Sequence, residues 1–154
     1  MKYKKLKQLQ KWVDGMTFLS IKLMRDNDSY CCPNDDADGF EIHYDMEGDY
    51  STSLDGFEKL FREMGLAYDI SVEAFVLLHE LGHLHNDFIN PPSKADRIAY
   101  DIGAKFYDIT CHFAPKWSNY HYQRMKQEYN ATLWAVNFIN NNQDRIKVLE
   151  EILA

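Results

Sequence analysis

Two histidines and a glutamate are spaced so that together they could bind a metal ion and activate water. His79 and His83 are four residues apart, and Glu80 follows the first of them. Residues four apart share one face of an α-helix, and the apolar run at residues 75–78 is typical of a buried helix, here called the motif helix. Two imidazoles on one face can bind one Zn²⁺ ion at about 2.0–2.1 Å. The intervening carboxylate can then reach a water bound to the metal. The spacing predicts a zinc-ligand pair with Glu80 as general base.

A catalytic zinc ion normally has three protein ligands and an open fourth position, so a third ligand is expected. The metzincin continuation requires Gly at position 86 and His at position 89, where this chain has Asn86 and Ile89. The spacing of thermolysin-like enzymes is absent as well, because no glutamate occurs between Glu80 and Glu128. The other side chains in this interval that could bind the metal are Asp87, Asp96, Asp101, Asp108, His85 and His112.

Glu128 is the stronger candidate because of its neighbours. Residues 128, 131 and 135 share one face of a helix, and Ala131 and Ala135 are both small. Small side chains allow that face to approach the motif helix closely, so that a short carboxylate reaches the metal. Asp101 remains the main alternative among the other carboxylates.

Two elements of the chain together resemble the ImmA/IrrE-type metallopeptidases of phages, mobile elements and bacteria. The first is His-Glu-Leu-Gly-His-Leu-His at residues 79–85, and the second is Glu-x-x-Ala-x-x-Trp-Ala, formed by Glu128, Ala131, Trp134 and Ala135. The first element is shared by many zinc peptidases, whereas the combination is more specific. The resemblance covers roughly residues 70–140.

This resemblance implies a zinc-dependent endopeptidase with a zincin-like fold, in which His79, His83 and Glu128 bind Zn²⁺ and Glu80 is the catalytic base. It further implies a protein or peptide substrate, in particular a regulatory protein such as a helix-turn-helix repressor. An alternative is a zinc-binding protein-interaction module of a mobile element that works without turnover. Glu80 favours the enzyme, because a purely structural zinc site does not require a base.

Composition and charge argue against several other classes of protein. The 154 residues are expected to form one domain, residues 1–154. A net charge of −7 argues against nucleic-acid binding, with lysines near the N-terminus as the one basic cluster. No apolar run approaches about 18 residues, so no membrane-spanning helix is expected. Three cysteines without C-x-x-C spacing favour a reducing cytoplasm. The sequence does not indicate the oligomeric state.

Hydrophobic periodicity predicts an α+β domain with a small sheet packed on a mainly helical body and the motif helix in the core. Alternating apolar residues predict strands at 19–23 and 40–46, and the second is expected to bind an extended peptide by strand addition. Helices are predicted at residues 3–14, from Ser53 to Gly65, from Ser71 through the motif, from about Lys94, from 120 to 139, and after Asn142. An oxyanion donor is expected among Tyr120, Tyr122, His121 and His112.

Overall fold

The computed structural model describes residues 2–33, 39–45 and 57–154. Within these ranges the chain forms seven helices and a three-stranded mixed sheet, an α+β arrangement that is mostly helical. The elements are α1 Lys2–Asp14, β1 Ile21–Arg25, β2 Tyr30–Pro33, β3 Phe40–Tyr44, α2 Glu58–Met64, α3 Val72–Ile89, α4 Lys94–Thr110, α5 Pro115–Tyr122, α6 Lys126–Asn141 and α7 Gln143–Leu153. The predicted helix start at Ser53 lies outside the described residues.

The sheet has the strand order β1-β3-β2, with β1 parallel and β2 antiparallel to the central strand β3. The predicted alternation is present: Ile21 and Leu23 of β1 and Ile42 and Tyr44 of β3 are buried. Strand β2 was not predicted, because its four residues, Tyr-Cys-Cys-Pro, lack an apolar alternation. It nevertheless forms the edge of the sheet nearest to the motif helix.

Helix α3 is the motif helix, and it runs through the core as predicted. Its N-cap is Ser71, whose hydroxyl accepts a hydrogen bond from the Ala74 amide at 3.2 Å. One side of α3 packs on α6, and others contact the sheet and α7. Its buried residues include Phe75, Leu77, Leu78, Leu81 and Leu84. Because packed cores hold their side chains in defined positions, α3 is a rigid base for the histidines that it carries.

The predicted helix at residues 120–139 is two helices in the structure. Helix α5 ends at Tyr122, and α6 begins at Lys126 after Met125 adopts an extended conformation. No glycine or proline marks the break, so the sequence contained no local signal for it. The break reorients the chain so that Tyr122 and Glu128 meet, as described below.

None of the described helices combines the length and the hydropathy that crossing a membrane would require. Helix α1 buries Leu9 and Val13 against the sheet and α7, whereas Lys4, Lys7 and Lys11 are exposed. These three lysines therefore lie on the polar face of an amphipathic helix, as expected from their spacing.

Candidate metal centre

His79 and His83 lie one turn apart on α3 and turn the same ring nitrogen toward each other. Their Nε2 atoms are 3.1 Å apart, and the rings meet edge to face at a centroid distance of 4.7 Å. Both side chains are largely buried, at 12% and 16% exposure. The predicted pairing of two imidazoles on one helical face is present in the structure.

Glu128 reaches the same point from α6. Its Oε2 lies 2.9 Å from Nε2 of His79, and its Oε1 lies 3.4 Å from Nε2 of His83. The structure thus brings together the three residues predicted as ligands. Asp101 borders the surrounding cleft but is exposed and does not belong to this group. Among the described residues, the donor atoms of His79, His83 and Glu128 form one of two clusters that could bind a metal ion.

Close packing between α3 and α6 explains how a short carboxylate reaches the histidines. Gly82 of α3 faces Ala131 of α6, and a Cβ atom at Gly82 would lie only 2.5 Å from the Ala131 carbonyl oxygen. Ala131 and Ala135 are fully buried in this interface. The small-residue face that the sequence predicted next to Glu128 is therefore the surface that contacts α3.

The donor set fits a zinc ion in both type and spacing. Metal–ligand bonds of about 2.0–2.2 Å in a tetrahedron place neighbouring N and O donors about 3.4 Å apart. The two Nε2 atoms are 3.1 Å apart, and Glu128 approaches each imidazole with a different oxygen, Oε2 at 2.9 Å from His79 and Oε1 at 3.4 Å from His83, so these separations are near or somewhat below that value. The hydroxyl of Thr132 lies 3.1 Å from Nδ1 of His79 and so can hold the proton on that nitrogen, leaving Nε2 to bind metal.

Electrostatics within the cluster favour an ionised Glu128. Burial on its own would raise the pKa of this carboxyl, but the hydrogen bonds and charges of His79 and His83 outweigh burial and lower it well below its usual range. Burial lowers the pKa of His83, and the hydrogen bond and charge of Glu128 outweigh that effect and raise it. The site could therefore present a buried negative charge to a cation bound between the imidazoles.

Two tyrosines on neighbouring helices also contact Glu128. The hydroxyl of Tyr100 on α4 donates to Oε1 at 2.9 Å, and that of Tyr122 on α5 donates to the same oxygen at 3.3 Å. Burial and the nearby carboxylate raise the pKa of both phenols, so both remain protonated donors. The two hydroxyls thereby hold the carboxylate of Glu128 in place, as outer partners hold metal-binding carboxylates.

The sequence analysis missed Tyr100 and Thr132. Thr132 lies one turn after Glu128, so helical spacing could have identified it. Tyr100 had no such signal, because its helix is distant in sequence and only tertiary packing brings it close. Of the expected oxyanion donors, Tyr122 borders the cleft but binds Glu128. Tyr120, His121 and His112 are exposed and are not among the described residues that line the cleft.

Glu80 lies beside the histidines on the cleft side of α3. Burial raises the pKa of its carboxyl above the usual range, although the imidazoles of His79 and His83 act in the opposite direction. Cys31 of β2 lines the same cleft, and burial together with the charge of Glu80 raises the pKa of its thiol. Strand β2 therefore places a protonated thiol near the predicted base.

The cluster opens into a cleft of about 880 Å³ between α3, α4 and the edge of the sheet. Its walls include Tyr30 and Cys31 of β2, Val76 of α3, and Arg97 and Tyr100 of α4. The prediction that strand 40–46 binds a peptide by strand addition is wrong, because β3 pairs on both sides, with β1 and with β2. The edge that borders the cleft belongs to β2.

Comparisons with known proteins identify no relative of this chain: no protein-family model, curated protein or solved structure matches it significantly.

Proposed function

We propose that this protein is a zinc-dependent endopeptidase. The observation that carries the proposal is the convergence of His79, His83 and Glu128 within 2.9–3.4 Å of one another, with Glu80 next to them and facing a cleft. A site that only held zinc for stability would be expected to have a fourth Cys or His ligand, whereas among the described residues this cluster offers three candidate ligands with a carboxylate beside them. The zincin-like fold and membership of the ImmA/IrrE-type metallopeptidases belong to this proposal.

The roles of the residues follow from their positions. Zinc bound by His79, His83 and Glu128 would supply a Lewis acid and lower the pKa of water toward about 7. Glu80 takes a proton from the attacking water and returns it to the amine that leaves when the peptide bond breaks. Glu128 contributes its charge and is held in place by the two tyrosine hydroxyls rather than taking part in proton transfer.

A protein or peptide substrate fits the shape and lining of the cleft. The edge of β2 can add an extended segment through main-chain hydrogen bonds, and side-chain pockets beside it can select residues. Phe57, Phe75 and Val76 supply apolar walls, while Arg97 adds a positive charge. Within this proposal the substrate is a regulatory protein, such as a helix-turn-helix repressor.

The proposed compartment is a reducing cytoplasm, in keeping with three cysteines that are all free thiols.

The test is co-expression of the chain with candidate repressors, followed by detection of cleavage and by metal analysis of the purified protein. Glu80→Gln should retain zinc and lose cleavage, because an amide keeps the shape but accepts no proton from water. His79→Ala should lose both. Glu73→Gln, on the same helix but outside the cleft, is the matched control and should cleave like the parent.

The outcomes separate the enzyme from the interaction module. Cleavage by the parent and by Glu73→Gln, but not by Glu80→Gln, supports the peptidase. If Glu80→Gln cleaved at the parent's rate, Glu80 would not be the base. A partner that binds the parent and Glu80→Gln equally and is cleaved by neither would identify the zinc-binding module instead.

A further inference from the structure

A second cluster of metal-binding side chains lies on the face of the sheet opposite to the core. Strand side chains alternate, so Cys31 and Ile42 face inward while Cys32, Glu41 and His43 face outward. Cys32 on β2 is directly opposite Glu41 on β3. One thiol sulfur, one carboxylate oxygen and one imidazole nitrogen in this group all lie within 4.8 Å of one another.

His43 is held in an orientation suited to metal binding. Its Nδ1 lies 2.9 Å from the carboxylate of Asp26, and the ring of Tyr30 stacks on it at a centroid distance of 4.3 Å and an interplanar angle of 7°. The opposite nitrogen, Nε2, points toward Glu41 at 3.2 Å. A carboxylate on one ring nitrogen and a metal on the other is the usual arrangement around zinc-binding histidines.

We propose that Cys32, Glu41 and His43 bind a second Zn²⁺ ion that links the edge strand β2 to the central strand β3. Tetrahedral bonds of about 2.0–2.3 Å require donor separations of about 3.4–3.6 Å. The 3.2 Å between His43 and Glu41 is close to this range, and the sulfur of Cys32 lies within 4.8 Å of both of their donor atoms. Binding releases the thiol proton of Cys32, together with any proton on Nε2 of His43.

The donor types select the metal. A thiolate and an imidazole favour zinc and other late transition metals over Mg²⁺ and Ca²⁺, which prefer oxygen ligands. His43 and Glu41 are only 17% and 22% exposed, so an ion here is partly shielded from water yet accessible from one side. Among the residues that the structure describes, the cluster offers three ligands, which leaves the fourth position open to water.

This second ion has a consequence for the cleft, because Cys31 and Cys32 are consecutive residues with opposite orientations. A metal on Cys32 would restrain β2 from its outer face, while Cys31 on the inner face lines the same cleft as Glu80. Binding of this ion does not require peptidase activity, so a binding measurement alone can detect it.

Titration of Co²⁺ into the full chain after removal of bound metal distinguishes the two clusters. Only the second contains sulfur, so a thiolate-to-cobalt charge-transfer band in the near ultraviolet reports it specifically. The parent and His79→Ala should both show the band, and both Cys32→Ser and His43→Gln should lose it. Cys31→Ser and Cys111→Ser are the matched cysteine controls and should keep it.

Asp26→Asn tests the orienting carboxylate and should weaken Co²⁺ binding at the second cluster by about 10–100-fold without removing the band at saturation. A parent chain that binds Co²⁺ without any thiolate band would overturn the proposal. The same conclusion would follow if the band survived in either Cys32→Ser or His43→Gln, or if it disappeared in Cys31→Ser.

Discussion

Gly82→Ala is the most direct test of the close packing that builds the metal centre. The added Cβ would lie 2.5 Å from the carbonyl oxygen of Ala131 and 3.0 Å from its Cα. Ordinary carbon–oxygen contacts are about 3.3–3.6 Å. Both contacts are with the backbone of α6, which cannot rotate away as a side chain can. We therefore expect α3 and α6 to separate by roughly 0.9 Å.

The expected loss of stability combines two opposing effects. Overpacking a core costs typically about 1–3 kcal/mol, and a backbone contact should place Gly82→Ala near the upper end of that range. Alanine in a helix interior returns about 1 kcal/mol relative to glycine. The free energy of unfolding should fall by about 1–2 kcal/mol, which corresponds to a decrease in Tm of roughly 2–8 °C for a chain of this size.

Gly82→Ala should also lower the affinity for zinc, although Gly82 is not one of the proposed ligands. A helix displacement of roughly 0.9 Å moves Glu128 away from His79 and His83. Because loss of a group that only orients a zinc ligand already reduces affinity by about 10–100-fold, we expect a loss of at least that order. Competition with a chromophoric chelator measures this loss, and chemical denaturation of the metal-free protein measures stability separately.

Gly103→Ala is the matched control, because Gly103 is also in a helix interior. Its added Cβ would meet the end of the Met125 side chain at 2.7 Å, and a flexible methionine can move aside. This variant should be as stable as the parent or more stable by up to about 1 kcal/mol, with unchanged zinc affinity. If Gly82→Ala behaved like Gly103→Ala in both assays, the proposed contact between α3 and α6 would be refuted.

Three further results are expected. Glu128→Ala should lower zinc affinity by at least about 10–100-fold in a chelator competition, whereas Asp101→Ala should change it little; the reverse would make Asp101 the ligand. Tyr100→Phe should lower zinc affinity by about 10-fold or less by removing one donor to Glu128, and an unchanged affinity would contradict that role. The hydrogen bond from Lys126 holds the pKa of Asp96 at about 2, below its ordinary 3.8. The stabilisation from ionised Asp96 should be complete above pH 3.8 and should be lost as the pH falls through about 2. A chemical-shift titration should show a higher pKa for Asp96 in Lys126→Met, and an equal pKa would contradict the role of the Lys126–Asp96 ion pair.

The sequence was sufficient where the relevant contacts are local. Four-residue spacing on a helix determines that His79 and His83 face the same way. Ser71 marks the start of the helix because its hydroxyl accepts a hydrogen bond from the amide three residues later, that of Ala74. Glu128 could also be located, because Ala131 and Ala135 reveal which face of its helix packs closely. These features depend on helical geometry, which repeats within a few residues.

Tertiary structure decided the features that join distant segments. Strand β2 is too short for its pattern to be read, and pairing with β3 is what makes it a strand and places it at the edge of the cleft. The position of Tyr100 beside Glu128, and the meeting of Cys32 with His43, likewise arise only when separate elements pack together. A helix forms its backbone hydrogen bonds within its own segment, so a local sequence pattern can predict it. The hydrogen-bond partners of a strand edge or of a buried carboxylate come from other parts of the chain.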